Sequence, residues 1–121
     1  MSVFYPIIGA IQEPTSVALS TTDVTDIYTL GSTETVRIVG IIVANVDASN
    51  ACGIKLWYTL GSTDYLIYQG DVAAQSTVTE ALAHPLHLDG RKGTRKIRAQ
   101  AEAADDLTVT VIVAGANLDG R

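Results

Sequence analysis

Two histidines and a group of acids are the residues whose types could do chemistry in this sequence. His84 and His87 lie three positions apart, with Pro85 between them. Zinc binds through tetrahedral N or S ligands, and neither Cys52 nor a carboxylate stands at ligand spacing from this pair. The spacing therefore predicts no metal site, and we expect both histidines at the surface or at the edge of the core.

The acids cluster where the sequence predicts a hairpin tip: Glu102, Asp105 and Asp106. Paired carboxylates perform acid–base chemistry only in a cleft that moves their pKa values apart. The spacing of an EF-hand calcium loop is absent. We therefore interpret the three acids as a solvated turn.

Nucleophilic and phosphate-binding patterns are also missing. The single cysteine, Cys52, lies in the turn-like stretch 50–53 and is expected to be a small, semi-buried residue. No glycine-rich phosphate loop, Ser–His–Asp set or activated cysteine can be assembled. We expect a protein that is not an enzyme and that needs no cofactor or metal.

A basic stretch is the one uneven charge feature. Five of the eight basic residues fall within eight positions of an acidic chain with a net charge of -5: Arg91, Lys92, Arg95, Lys96 and Arg98. Three interpretations stay open: a solvated loop and strand face, a docking patch for an acidic protein surface, or a nucleic-acid site. The last has the least support, because no aromatic residues for base stacking interleave with the charges.

The strand that must organise these residues is the apolar run 36–46, rich in Val and Ile. Branched side chains favour extended backbone, and from Ile38 onward both alternating faces are apolar. We expect a central strand covered on each side. At eleven residues the run is too short to span a bilayer, so no membrane partner is expected.

Period-two alternation continues on both sides of the central strand, most clearly at 53–60, 97–101 and 107–114. About seven to eight short strands, spaced near ten residues apart, predict an all-β antiparallel sandwich of jelly-roll or immunoglobulin-like type. The segment 71–84 suits a helix or a strand equally. The six-residue sequence 28–33 recurs at 58–63, and we interpret both copies as the same type of hairpin.

The first 22 residues are predicted to form an extended arm, with the sandwich domain at 23–121. Pro6 and Pro14 remove ladder donors, so this segment is at best an edge strand. Its apolar residues lie either on their own domain or on a neighbouring subunit. The N-terminus lacks the basic and long apolar regions of a signal peptide, so synthesis and folding in the cytoplasm are expected.

Three tyrosines suggest a different class of function. Tyr58, Tyr65 and Tyr68 fall on neighbouring predicted strands, where exposed rings could bind a sugar. Core packing and cross-strand pairing explain them equally well. A host-surface glycan or receptor-binding module is therefore the alternative to a purely structural role.

Several strand motifs resemble the small β-sandwich virion proteins of tailed bacteriophages. These are 19–22 leading to 27–28, the strand 36–45 ending in Asn, 54–58, the Pro-Leu-x-Leu strand with its Gly turn at 85–90, 97–101, and the Thr/Val strand 107–111. The resemblance spans residues 15–114.

It implies a virion-located structural protein, foremost a capsid decoration or cement subunit, with a neck, tail or head-fibre base protein as alternatives. It also implies a homo-oligomer, by this resemblance a trimer, and partners among other virion proteins: the major capsid or a neck or tail protein. The contact residues would be Val3, Phe4, Tyr5, Ile7 and Ile8 of the arm, and the five basic residues at 91–98.

Overall fold

The structure, a computed structural model, describes residues 13–79, 81–82 and 84–116. Nine strands and one short 3-10 helix form within these residues. The strands are β1 (Thr15–Ala18), β2 (Thr25–Thr29), β3 (Thr35–Asn45), β4 (Cys52–Leu60), β5 (Thr63–Val72), β6 (Thr77–Val78), β7 (Leu86–Asp89), β8 (Arg95–Ala101) and β9 (Leu107–Ala116), and the helix is Gly90–Lys92. They form two antiparallel sheets, which confirms the predicted all-β sandwich.

The first sheet, sheet A, is built around β3. Its order is β1-β9-β3, and β3 pairs on its other side with β7 near its start and β6 near its end. The register with β9 runs the length of both strands, from Thr35↔Ala116 to Asn45↔Leu107, with one bulge between Ile38 and Gly40. The apolar run is therefore the central strand of its sheet, as predicted.

The second sheet, sheet B, has the order β2-β8-β4-β5. Ile54, Leu56, Ile97 and Ala99 point into the sandwich and are at most 2% exposed, while the intervening residues of β4 and β8 face outward. The alternation in the sequence thus identified the inward row of this sheet. Leu60, the last residue of the predicted apolar row, is 37% exposed because it lies at the turn into β5.

Between the sheets lies one continuous apolar core. Ile38, Ile41 and Val43 of β3 are fully buried, and they belong to the same cluster as Leu56 and Ile97 of sheet B. Burial of each such side chain contributes about 1.5–3 kcal/mol to folding. The core therefore determines which face of each strand points inward and which faces outward.

The repeated six letters do not form the same structure twice, so that prediction is wrong. At 58–63 the chain makes a tight hairpin within sheet B, with Leu60 paired to Thr63 and Gly61 at φ +69°. At 28–33 it crosses from sheet B to sheet A. There Gly31 N donates to Glu34 Oε1 at 2.6 Å, a bond supplied by a residue outside the repeat.

The structure describes part of the segment 71–84 and part of the predicted arm 1–22. The segment 71–84 contains the short strand β6, and Ala81 beyond it is 3% exposed and belongs to the core. In the predicted arm, residues 13–22 include β1, which pairs with β9, and Leu19, which is 1% exposed. Residues 1–12 lie outside the described residues.

Candidate functional site

The outer face of sheet A carries several apolar residues where β3 and β9 lie side by side, opposite Thr108 and Thr110. Ile42 of β3 and Ile112 of β9 fall on the outward rows, and Val39 lies at the bulge. All three are half-buried, and Ala44 continues the row. Every described strand belongs to one of the two sheets, so no described strand forms a third layer over this face. We call these four residues the outer apolar strip.

The outer apolar strip ends at the pair Arg37 and Ala114. Ala114 is fully buried although it lies on an outward row. The Nε of Arg37 is also buried, and it has no hydrogen-bond partner among the described residues. A buried donor without a partner costs free energy.

Two basic residues of the predicted docking patch lie on the outer face of sheet B, where carboxylates neutralise them. Arg98 Nε contacts Asp26 Oδ1 at 2.8 Å, and Arg98 Nη1 contacts Asp64 Oδ2 at 2.9 Å. Lys96 Nζ contacts Asp26 Oδ2 at 3.0 Å. Thr59 Oγ1 donates to Asp64 Oδ1 at 2.6 Å. These charges are satisfied within the domain.

The same cluster sets the ionisation of Asp26. Partial burial would raise the pKa of Asp26, but the hydrogen bonds and positive charges of Lys96 and Arg98 outweigh it and hold the pKa below 3.8. The carboxylate therefore stays ionised across the physiological range.

The other basic residues lie around the 3-10 helix. Arg91 Nε and Nη2 donate to the two oxygens of Asp89, each at 3.0 Å. This fork lowers the pKa of Asp89 to about 2. Lys92 is exposed, and Arg95 Nη1 donates to the carbonyl oxygen of Thr94. The basic stretch is thus divided between two surfaces instead of forming one continuous patch.

A groove of about 550 Å³ lies on the outer face of sheet B, at the end away from Arg98 and Asp64. Neighbouring strands supply its walls: Lys55 of β4, Gln69 and Asp71 of β5, and Gln100 and Glu102 at the end of β8. Gly53 lies at its floor. The sequence pattern showed that these positions face outward, but it could not show which strands lie side by side. Sequence analysis therefore missed the groove.

The three tyrosines do not form an outward platform. Tyr58 and Tyr65 are paired across β4 and β5, with ring centroids 5.3 Å apart. Tyr58 and Tyr68 pack against the core, while Tyr65 is 44% exposed. Of the two interpretations left open, the structure supports core packing and cross-strand pairing.

The two histidines and the cysteine lie in different surroundings. His84 and His87 are exposed, and Cys52 is 1% exposed within the core cluster. Among the described residues, no group of three or more His, Cys, Asp or Glu side chains is placed to hold a metal ion.

The acids of the predicted hairpin tip gain a neighbour that the sequence did not indicate. Asp47 lies close enough to Asp106 for a side-chain hydrogen bond. Burial, followed by the charge of Asp47, raises the pKa of Asp106, while backbone N–H donors from Ser49 and Asn50 lower that of Asp47. As the pH falls, Asp106 therefore takes up a proton before Asp47 does.

The predicted arm contacts, Val3, Phe4, Tyr5, Ile7 and Ile8, lie outside the described residues. In the described part of the chain, no helix has the length and hydropathy that crossing a bilayer requires.

Comparison with known proteins identifies no family. No family model and no curated protein matches the chain. Among solved structures, it is similar to a chain in the structure of infectious bursal disease virus Gt strain, with 12% sequence identity and a TM-score of 0.31. The alignment covers 89% of this chain but 30% of the viral chain. The present chain therefore spans less than a third of that chain's length.

Proposed function

We propose that this chain is a virion structural protein, foremost a capsid decoration or cement subunit, that acts by contact with its neighbours and catalyses no reaction. The strand motifs that resemble tailed-phage virion proteins support this, together with the sandwich fold. A neck, tail or head-fibre base protein is the alternative within the same class. The virion is its proposed location, and the major capsid protein or a neck or tail protein its proposed partner.

The observation that carries the proposal is the outer apolar strip. In a two-layer sandwich the outward rows are normally polar, because they face water. Here Ile42 and Ile112 occupy such positions at the centre of sheet A, near Val39 at the bulge. Burying them against another chain would stabilise an assembly through contact area.

The occupant we propose is the apolar segment 3–11 of a second copy. β1 is the edge strand of sheet A, and Thr15 pairs with Val111 of β9. β1 therefore begins beside the row that contains Ile112. In the proposed assembly, the segment of one subunit covers the strip of a neighbour while β1 stays in its own sheet. Of the basic residues at 91–98, Lys92 and Arg95 form no ion pair among the described residues and would add contacts to acidic partner surfaces.

The mass of the protein in solution tests this assembly. We would compare the full chain with a variant lacking residues 1–12 by light scattering after size exclusion. The truncation ends before β1 and Leu19, so it removes no described strand. We expect an oligomer for the full chain and a monomer for the truncation.

Two point variants distinguish the strip from general effects of charge. Ile42→Lys places a charge in the strip and should also give a monomer, whereas Thr63→Lys, at an exposed position on sheet B, should keep the oligomer. If the full chain is a monomer, or if the truncation leaves the oligomer unchanged, assembly through this segment is wrong. Mass spectrometry of purified particles would then test the virion location separately.

A further inference from the structure

The groove on sheet B is built from three adjacent strands. Lys55 of β4 pairs with Gln69 of β5 on one side and with Gln100 of β8 on the other. Gly53 of β4 pairs with Asp71 of β5. The ladder hydrogen bonds thus fix the backbone positions from which these polar side chains face the groove. A volume of about 550 Å³ suits a small-molecule ligand.

Two carboxylates converge over Gly53. A Cβ at this position would lie 3.3 Å from Asp71 Oδ1 and 3.4 Å from Glu102 Oε1. Glu102 Oε1 also accepts a hydrogen bond from Gly53 N at 3.1 Å, which fixes its orientation. The absence of a side chain at Gly53 therefore keeps both carboxylates open to the groove.

The groove differs from the charged cluster on the same face in whether its polar side chains pair with other protein groups. Asp26, Asp64, Lys96 and Arg98 pair with one another. By contrast, within the described part of the chain the side chains of Lys55, Gln69 and Asp71 make no hydrogen bond or ion pair with protein groups. Their donors and acceptors are available to a ligand.

The chemistry of these groups indicates the class of ligand. Amide and ammonium donors alternate with carboxylate acceptors, and a sugar hydroxyl both donates and accepts. One lysine against two carboxylates gives no positive cradle for phosphate or nucleic acid. Trp57 lies two residues beyond Lys55 on the same outward row of β4, and it is not one of the residues that line the groove.

We propose that this groove binds a neutral saccharide, with Gln69, Asp71 and Glu102 as hydrogen-bonding residues and Gly53 as the position that keeps the floor open. The site lies on the sheet opposite the outer apolar strip. It therefore adds to the proposed structural role and does not depend on it.

The single tryptophan provides a specific readout. We would screen the full chain on an array of neutral glycans and titrate each hit while following Trp57 fluorescence. We expect saturable binding with a change in emission. Inorganic phosphate should cause no change. Gly53→Ala and Gln69→Ala should each weaken binding by about tenfold or more, the loss of roughly one good contact.

Gly40→Ala, on the other sheet, is the matched control, because among the described residues its Cβ would meet only Ile112, at 3.6 Å or more. It should bind as the unmodified chain does. Gln69→Ala changes an exposed side chain and tests the site even if Gly53→Ala fails to fold. No saturable binding to any neutral glycan overturns the proposal. So does binding that both groove variants retain, or binding that phosphate displaces.

Discussion

Asn45 Nδ2 donates to the carbonyl oxygen of Val72 at 2.9 Å, and this bond joins the last residue of β3 to the last residue of β5, in the opposite sheet. Asn45 Nδ2 also donates to Asn50 O at 2.9 Å, and Asn45 Oδ1 accepts from Asp47 N at 2.9 Å. The side chain is 3% exposed and lies on the inward row of β3. It therefore links both sheets to the loop between β3 and β4.

Replacing Asn45 by Ala should lower the free energy of unfolding by about 3 kcal/mol, because buried backbone groups would lose their partners. Urea unfolding followed by fluorescence measures the change. Ser49→Ala in the same loop is the control and should have little effect, since its exposed side chain makes no bond with described residues. Equal stability of Asn45→Ala and the unmodified chain would show that these bonds contribute nothing.

Acid should weaken the fold partly through Asp26. Its pKa is lower in the folded state than the ordinary 3.8, so its stabilising effect is present above that value and is lost as the pH falls below it. Asp26→Asn should reduce stability at neutral pH by less than about 1 kcal/mol, because the carboxylate is largely exposed and screened. It should also flatten the loss of stability at acidic pH.

Unfolding midpoints in urea measured from neutral to acidic pH check the effect of Asp26→Asn. Asp23→Asn is the control, since Asp23 is exposed and forms no ion pair among the described residues. High salt should shrink the difference between the unmodified chain and Asp26→Asn. A difference that grows with salt would contradict the ion-pair explanation.

Ionisation of Asp106 should have the opposite effect on stability from ionisation of Asp26. Its pKa is raised by burial and by the charge of Asp47, so ionisation of Asp106 opposes folding at neutral pH. Asp106→Asn should therefore stabilise the protein at neutral pH, and the gain should disappear where the carboxyl of the unmodified chain is protonated. Thermal unfolding at neutral and acidic pH tests this. Lower stability of Asp106→Asn at neutral pH would contradict this explanation. Asp71→Asn, which changes an exposed carboxyl, is the control.

Three glycines should tolerate alanine to different degrees. A Cβ at Gly90 would collide with the carbonyl oxygen of Gly31, which is backbone and cannot rotate away. Gly90→Ala should cost about 1–3 kcal/mol or more. No described atom lies within 4 Å of a Cβ at Gly61, but its φ is +69°, so Gly61→Ala should cost about 1–2 kcal/mol. Gly40→Ala meets neither obstacle and should be neutral or slightly stabilising.

Urea midpoints of the three glycine variants give the order directly. If Gly90→Ala is as stable as Gly40→Ala, the contact between the 3-10 helix and the turn at 31–34 does not constrain the fold.

Local patterns predicted most of the strands, because period-two alternation depends only on neighbouring residues. The rows of β4, β8 and β9 could be derived in this way, as could the central position of β3. The two copies of the six-letter repeat could not be distinguished, since their difference arises from Glu34 and from the sheet that each following strand joins. The division of the basic stretch was also hidden, because Asp26 and Asp64 are distant in sequence from Arg98.

The sequence by itself determined an all-β sandwich and which residues face inward, since burial of alternating apolar side chains is a local constraint on each strand. Only the tertiary structure decided which outward residues meet. Strand order places Ile42 near Ile112 in an apolar strip, Arg98 between two carboxylates, and Gly53 beneath two others. These neighbours depend on pairing between distant strands, which the packing of the whole core selects.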